Sequence, residues 1–98
     1  MSAGYIIVTL IFQQTGRRWT ARCEELGTAT FGRSLPEADK KIKEAVLLHI
    51  NTLEDVGERE RFFRENNIQF RHTKPLGVKV RAQIDNEAFF KPYIQAVA

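Results

Sequence analysis

Between Trp19 and Glu58 a two-residue periodicity gives way to a helical one, and any fold for this chain must lay that helix across the strands before it. Trp19, Ala21 and Cys23 share one side of Arg17–Glu24, while Arg18, Thr20, Arg22 and Glu24 share the other, the pattern of a half-buried antiparallel strand. Glu25-Leu26-Gly27 reads as a turn, and Thr28–Phe31 as a short strand with Ala29 and Phe31 inward. Ser34 is a good N-cap, Glu37 stands three residues on to complete a capping box, and Pro36 falls in the first turn, where its missing N–H costs nothing. Leu35, Ala38, Ile42, Ala45, Val46, His49, Leu53 and Val56 then recur at helical spacing. The pairs Glu37/Lys41, Asp39/Lys43 and Lys40/Glu44, four apart, suit the solvated side. Leu47, Leu48 and Ile50 widen the apolar stripe beyond what one small sheet needs, and Gly57 ends the helix.

The flanking segments complete one domain over 1–98. Tyr5–Phe12 is β-branched and aromatic, with Ile6, Val8, Leu10 and Phe12 on one face and Tyr5, Ile7, Thr9 and Ile11 on the other. A strand apolar on both faces belongs at the centre of a sheet, and Gly16 serves the turn into the next strand. Glu58–Asn66 reads as a second, short helix stopped at Asn66-Asn67, and 68–75 as a basic connection. Val78, Val80, Ala82 and Ile84 alternate with polar residues and mark a fourth strand, which could also pair across a two-fold axis. Asp85 or Asn86 then caps a last turn or two through Ala88–Phe90, before Pro92. The order βββααβ, strands grouped before helices, indicates an α+β fold: a three-stranded antiparallel meander plus a fourth strand, covered on one face by a long and a short helix.

Few chemistries survive this reading. Metal-dependent nuclease chemistry on such a sheet needs converging carboxylates, at least one on the first strand, and Tyr5–Gln13 has no Asp or Glu. His49 sits on the apolar stripe as a core or interface histidine, and His72 lies in a loop among cations. Neither has a nucleophile or carboxylate at dyad spacing. One cysteine and two distant histidines form no metal pattern, no disulfide within the chain is possible, and Cys23 on an inward face packs. No enzyme activity and no cofactor is expected. Tyr5–Phe12 is too short to span a bilayer and follows no basic segment, so a cytoplasmic protein is expected. The net charge of +3 is concentrated: seven Lys/Arg balance seven Asp/Glu in residues 1–56, while eight face five in 57–98. Arg59, Arg61, Arg64, Arg71, Lys74, Lys79 and Arg81 form a candidate basic surface near Phe70, interleaved with Glu58, Glu60 and Glu65. Only fourteen residues follow Ile84, interrupted by Pro92, which leaves no room for a ribbon-helix-helix or helix-turn-helix reader.

The run from Trp19 through Cys23, Glu24-Glu25-Leu26-Gly27, Thr28–Phe31 and Ser34-Leu35-Pro36-Glu37-Ala38 resembles the HicB antitoxin family, as do Ile42–Val46 and Leu53–Glu58. The resemblance covers about residues 5–67; Glu24 stands where that family commonly has proline. It implies a partial, degraded RNase H-like fold without catalytic carboxylates. It also implies an antitoxin-like role in a type II toxin–antitoxin system, neutralising a HicA-type mRNA interferase by direct protein–protein binding. The C-terminal DNA-binding domain of many members is not expected here, so DNA binding and autoregulation are doubtful. Glu24 and Glu25, at the exposed end of the sheet, suit contact with a basic RNA-binding toxin. The alternative is an oligomeric module that binds RNA or DNA through the basic C-terminal half, with Arg71 and Lys74 as contacts. Self-association, as a dimer or higher oligomer, is expected under either reading.

Overall fold

The central strand β1 (Gly4–Thr15) is flanked by all the other strands but one. The computed structural model describes residues 3–75 and 88–97. After β1 come β2 (Arg18–Cys23), β3 (Ala29–Gly32), α1 (Leu35–Asp55), α2 (Arg59–Glu65), β4 (Gln69–Arg71) and β5 (Ala88–Val97). The protein is α+β; among the described residues a five-stranded sheet has all its pairings antiparallel and the two helices lie on one face of it. β5 runs along β1 from Gly4 to Gln13 and so takes nearly all of one edge. β2, paired with Leu10–Thr15, and β4, paired with Tyr5–Ile7, must therefore share the other edge.

The core lies between the sheet and α1. Ile6, Val8, Leu10 and Phe12 of β1, with Ala21 and Cys23 of β2, face Ala38, Ile42, Val46 and Ile50 of the helix; Leu26, Phe63, Ile68 and Val97 close its ends. Ile50, read above as surplus to the stripe, is buried in this core, whereas Leu47, Leu48 and Val56 are exposed. The helix begins as its sequence dictates, with the Glu37 N–H donating to Ser34 Oγ at 3.2 Å. It ends in a Schellman arrangement: Gly57, at φ 72°, donates to the Glu54 carbonyl, and Glu58 donates to that of Leu53. Two of the expected ion pairs form, Lys41–Glu37 at 3.1 Å and Lys43–Asp39 at 2.9 Å.

Three expectations are corrected. Ala29 and Phe31 point outward, not inward. The register pairs Ala21 with Thr30 and Trp19 with Gly32, which gives the helix side of β3 to Thr30 and Gly32. The reason is a close approach: a Cβ on Gly32 would stand 2.7 Å from the Ala38 nitrogen, so only glycine lets β3 pass beneath the first turn of α1. Second, Ala88–Phe90 is not a helical turn and Pro92 stops nothing, because both lie within the ten-residue strand β5. Pro92 is tolerated opposite Thr9, whose N–H and C=O both turn to the far edge of β1, so the proline's missing N–H removes no bond to its neighbour. Third, the supposed connection after Ile68 contains the short strand β4. The fourth strand expected at Val78–Ile84 lies outside the described residues.

Gly32→Ala is expected to lower stability by about 1–3 kcal/mol, since a buried methyl must displace helix backbone. Urea unfolding checks this, and an unchanged midpoint would contradict the close approach.

Candidate functional site

The turn between β2 and β3 sits in the gap that β4 and β2 leave along their shared edge of β1. Between the stretches paired with β4 and β2, Thr9 presents its backbone groups to that vacant edge. The turn fills it. The Glu24 N–H donates to the Thr9 carbonyl at 3.0 Å. In return, the Thr9 N–H donates to Glu25 Oε1 at 2.7 Å, and its hydroxyl donates to Oε2 at 3.0 Å. A side-chain carboxylate thus stands in for one rung of the ladder, and charge-assisted bonds of this kind exceed neutral ones in strength. Gly27 and Cys23 close the turn through Gly27 N–H to Cys23 O at 2.9 Å and Cys23 N–H to Thr28 O at 2.8 Å.

The two candidate contact carboxylates therefore differ in kind. Glu25 is half-buried with both oxygens engaged, while Glu24, one residue earlier, is exposed. Cys23 beneath them is buried, its sulfur 4.0 Å from Glu25 Oε1. Burial pushes its thiol up to about 11, helped by the nearby Glu25 and Glu24 charges and opposed by the Leu26 and Glu25 backbone. Such a group is a packing residue and not a nucleophile at neutral pH. His49 is satisfied as well: its Nδ1 lies 3.0 Å from Thr28 Oγ1 and its ring packs on Phe62.

The basic C-terminal surface is smaller than its sequence suggests. Arg59 is only 2% exposed, with Nη1 3.3 Å from Glu54 and its guanidinium near the Phe63 and Phe70 rings. Arg61 is paired with Glu58 and Glu65. Arg71 and Lys74 are exposed, and the Arg71 guanidinium donates to Gln69 Oε1 at 3.4 Å. Lys79 and Arg81 lie outside the described residues. His72 is exposed, its ring edge-on to Phe70.

A different cluster, hidden from the sequence by the inverted register of β3, gathers at the other end of the sheet. Phe31 is 56% exposed, with the Arg18 guanidinium 5.5 Å and the Lys41 ammonium 5.9 Å from its ring centroid. Together with Gly32, Arg33 and Glu37 they line an open groove of about 320 Å³. Glu37 is held below the usual carboxylate range, first by its hydrogen bond from Lys41. The signal available in the sequence was Gly32, two residues before the helix cap, where a close approach of strand and helix would set the parity.

Among the described residues no group of three or more His, Cys, Asp or Glu could hold a metal ion, and no helix is long and apolar enough to cross a membrane. Comparison with family models, curated proteins and solved structures found no match.

Replacing Glu25 by Ala leaves the part-buried Thr9 N–H without its acceptor and is expected to cost about 1–3 kcal/mol, whereas Glu24→Ala stays within about 0.5 kcal/mol. Equal effects of the two in chemical denaturation would refute the distinction. The Cys23 thiol is expected to resist disulfide reagents at pH 8 until the protein is unfolded. Because its folded pKa is raised, its contribution to stability is full below the ordinary thiol value of 9.0 and declines as pH climbs toward about 11. Rapid labelling of the native protein would overturn the assignment.

Proposed function

We propose that this chain is an antitoxin-like protein of a type II toxin–antitoxin system that neutralises a HicA-type mRNA interferase by direct protein–protein contact. What supports the reading is the position of the residues that carry the resemblance. Trp19–Glu58 forms one continuous unit, β2, turn, β3 and α1, with Cys23 and Ala38 in its core and the Glu24 turn at its end. The observation that carries it furthest is the exposed Glu24 carboxylate on a turn pinned to the central strand through Thr9. An acidic group whose backbone is already fixed loses little freedom on meeting a basic partner, and its charge steers the encounter. In this reading Glu24 makes the contact and Glu25 holds the turn that presents it.

The finer fold assignment, a degraded RNase H-like domain, belongs to the same proposal. Its supports are the strand order β3-β2-β1, the helices on one face, and a central strand without Asp or Glu. Self-association is proposed with it, supported by the exposed Leu47 and Leu48. A cytoplasmic setting is part of the proposal, since the toxin's mRNA substrate is there.

Co-expression with a HicA-like reading frame from the same genome is expected to restore growth and yield a complex on co-purification. Glu24→Lys should slow association, and the defect should shrink as salt rises. Persistent toxicity with no complex would sink the proposal, and a monomeric mass by light scattering at micromolar concentration would sink the oligomeric part of it.

A further inference from the structure

We infer that the outer face of β1–β3, around Phe31, Arg18 and Arg22, is a binding platform for single-stranded nucleic acid. The argument rests on this sheet face and is independent of the toxin-binding reading.

The face of the sheet opposite the helices has two unlike halves. Toward β5 it carries Tyr5, Ile7, Ile11, Phe90, Pro92 and Ile94, all apolar or aromatic and at least half-buried. Toward β3 it turns polar and exposed. The register sets Thr15 beside Arg18, Thr20 between Gln13 and Phe31, and Arg22 beside Ala29. Strands β1, β2 and β3 contain no Asp or Glu. The carboxylate that lines the adjoining groove, Glu37, is already paired with Lys41. A cationic surface remains, with a half-exposed aromatic ring at its middle that the mobile ends of Arg18 and Lys41 approach, and with Arg33 exposed at its border.

A phenylalanine on an exposed strand gains little from burial, and surface cation–π contacts with Arg18 and Lys41 return only about 0.5–1 kcal/mol. The same arrangement is well suited to a base. A flat antiparallel sheet face with an exposed aromatic offers a stacking surface that tolerates any base, and flanking arginines bind the phosphates on either side. Arg18 and Arg22 lie four residues apart on one strand, about 13 Å, so they straddle Phe31 on the neighbouring strand and do not compete for one phosphate. The Gln13 side-chain amide supplies hydrogen-bonding groups for base edges, and the Thr20 hydroxyl, which donates to the Gln13 carbonyl at 3.2 Å, keeps its lone pairs as acceptors. A duplex, with its bases stacked inside, could use the arginines but not the ring.

Fluorescence anisotropy with labelled twelve-nucleotide U12, dT12 and a duplex of equal length tests this. The intact protein is expected to bind the single strands more tightly than the duplex at 50 mM salt. Preference for U12 over dT12 would assign the site to RNA, and equal binding to either strand; both support it. Phe31→Ala should weaken binding about 5- to 150-fold with the salt slope unchanged, and Phe31→Trp should retain it. Arg18→Ala with Arg22→Ala should lower the slope of log K against log salt by about 1.4, two phosphate contacts' worth. All these side chains are exposed, and circular dichroism of each variant confirms that the fold is kept. The inference is overturned if Phe31→Ala binds as the parent does, if the double arginine variant keeps the parent slope, or if Arg71→Ala with Lys74→Ala loses more affinity. Equal binding of the duplex, or equal competition by polyglutamate, which would mark a partner-binding surface for acidic protein, overturns it too.

Discussion

Thr9 and Glu25 hold together two halves of a sheet that share one edge of a single strand. An edge of β1 long enough for two partners leaves a gap where β4 ends and β2 begins, and a backbone N–H in that gap would lose its hydrogen bond. Glu25 closes it with both carboxylate oxygens, and Glu24 closes the carbonyl side. The consequence reaches beyond one rung. Because Thr9 directs its polar groups to this edge, the residue opposite on β5 needs no donor, and a proline fits there. Pro92 in turn leaves a missing N–H on the outer side of β5, which makes that side a poorer template for another strand.

The same parity divides the sheet into two surfaces with separate uses. Even-numbered residues of β1 and odd-numbered residues of β2 build the core under α1. The opposite set carries the candidate surfaces: an apolar area toward β5 and a basic one with Phe31 toward β3. The proposed contact carboxylate Glu24 lies just past the end of β2, two residues beyond Arg22, so the proposed acidic contact adjoins the Arg22 end of the proposed platform, while Arg18 and the Phe31 groove lie toward the other end of the strand.

Much of the frame was legible residue by residue. The helix boundaries followed from Ser34 and Gly57, whose local chemistry acts within a few residues of chain. The central position of β1 followed from its two apolar faces, and the inertness of Cys23 and His49 from the faces they share with core residues. Phe31 was read on the wrong side because a strand of four residues carries too little periodicity to fix its own parity; Gly32 against Ala38 fixes it instead. The tail was misread because Pro92 ends a helix by local rules but is harmless in a strand whose neighbour turns its donors away. The arginines of α2 looked like one basic surface because sequence records charge and not burial, and Arg59 is spent on Glu54 inside.

The sequence by itself determined the first three strands and the two helices, the capping of α1, the core faces of β1, β2 and α1, and the lack of Asp and Glu on β1, since all of these are set by side-chain chemistry repeated over several neighbouring residues. Only the tertiary structure decided which way β3 faces, that two strands share one edge of β1, and that Glu25 fills the space between them while Glu24 stays free. Those outcomes depend on groups distant along the chain meeting at fixed separations, Thr9 with Glu25 and Gly32 with Ala38, and no local pattern encodes such meetings.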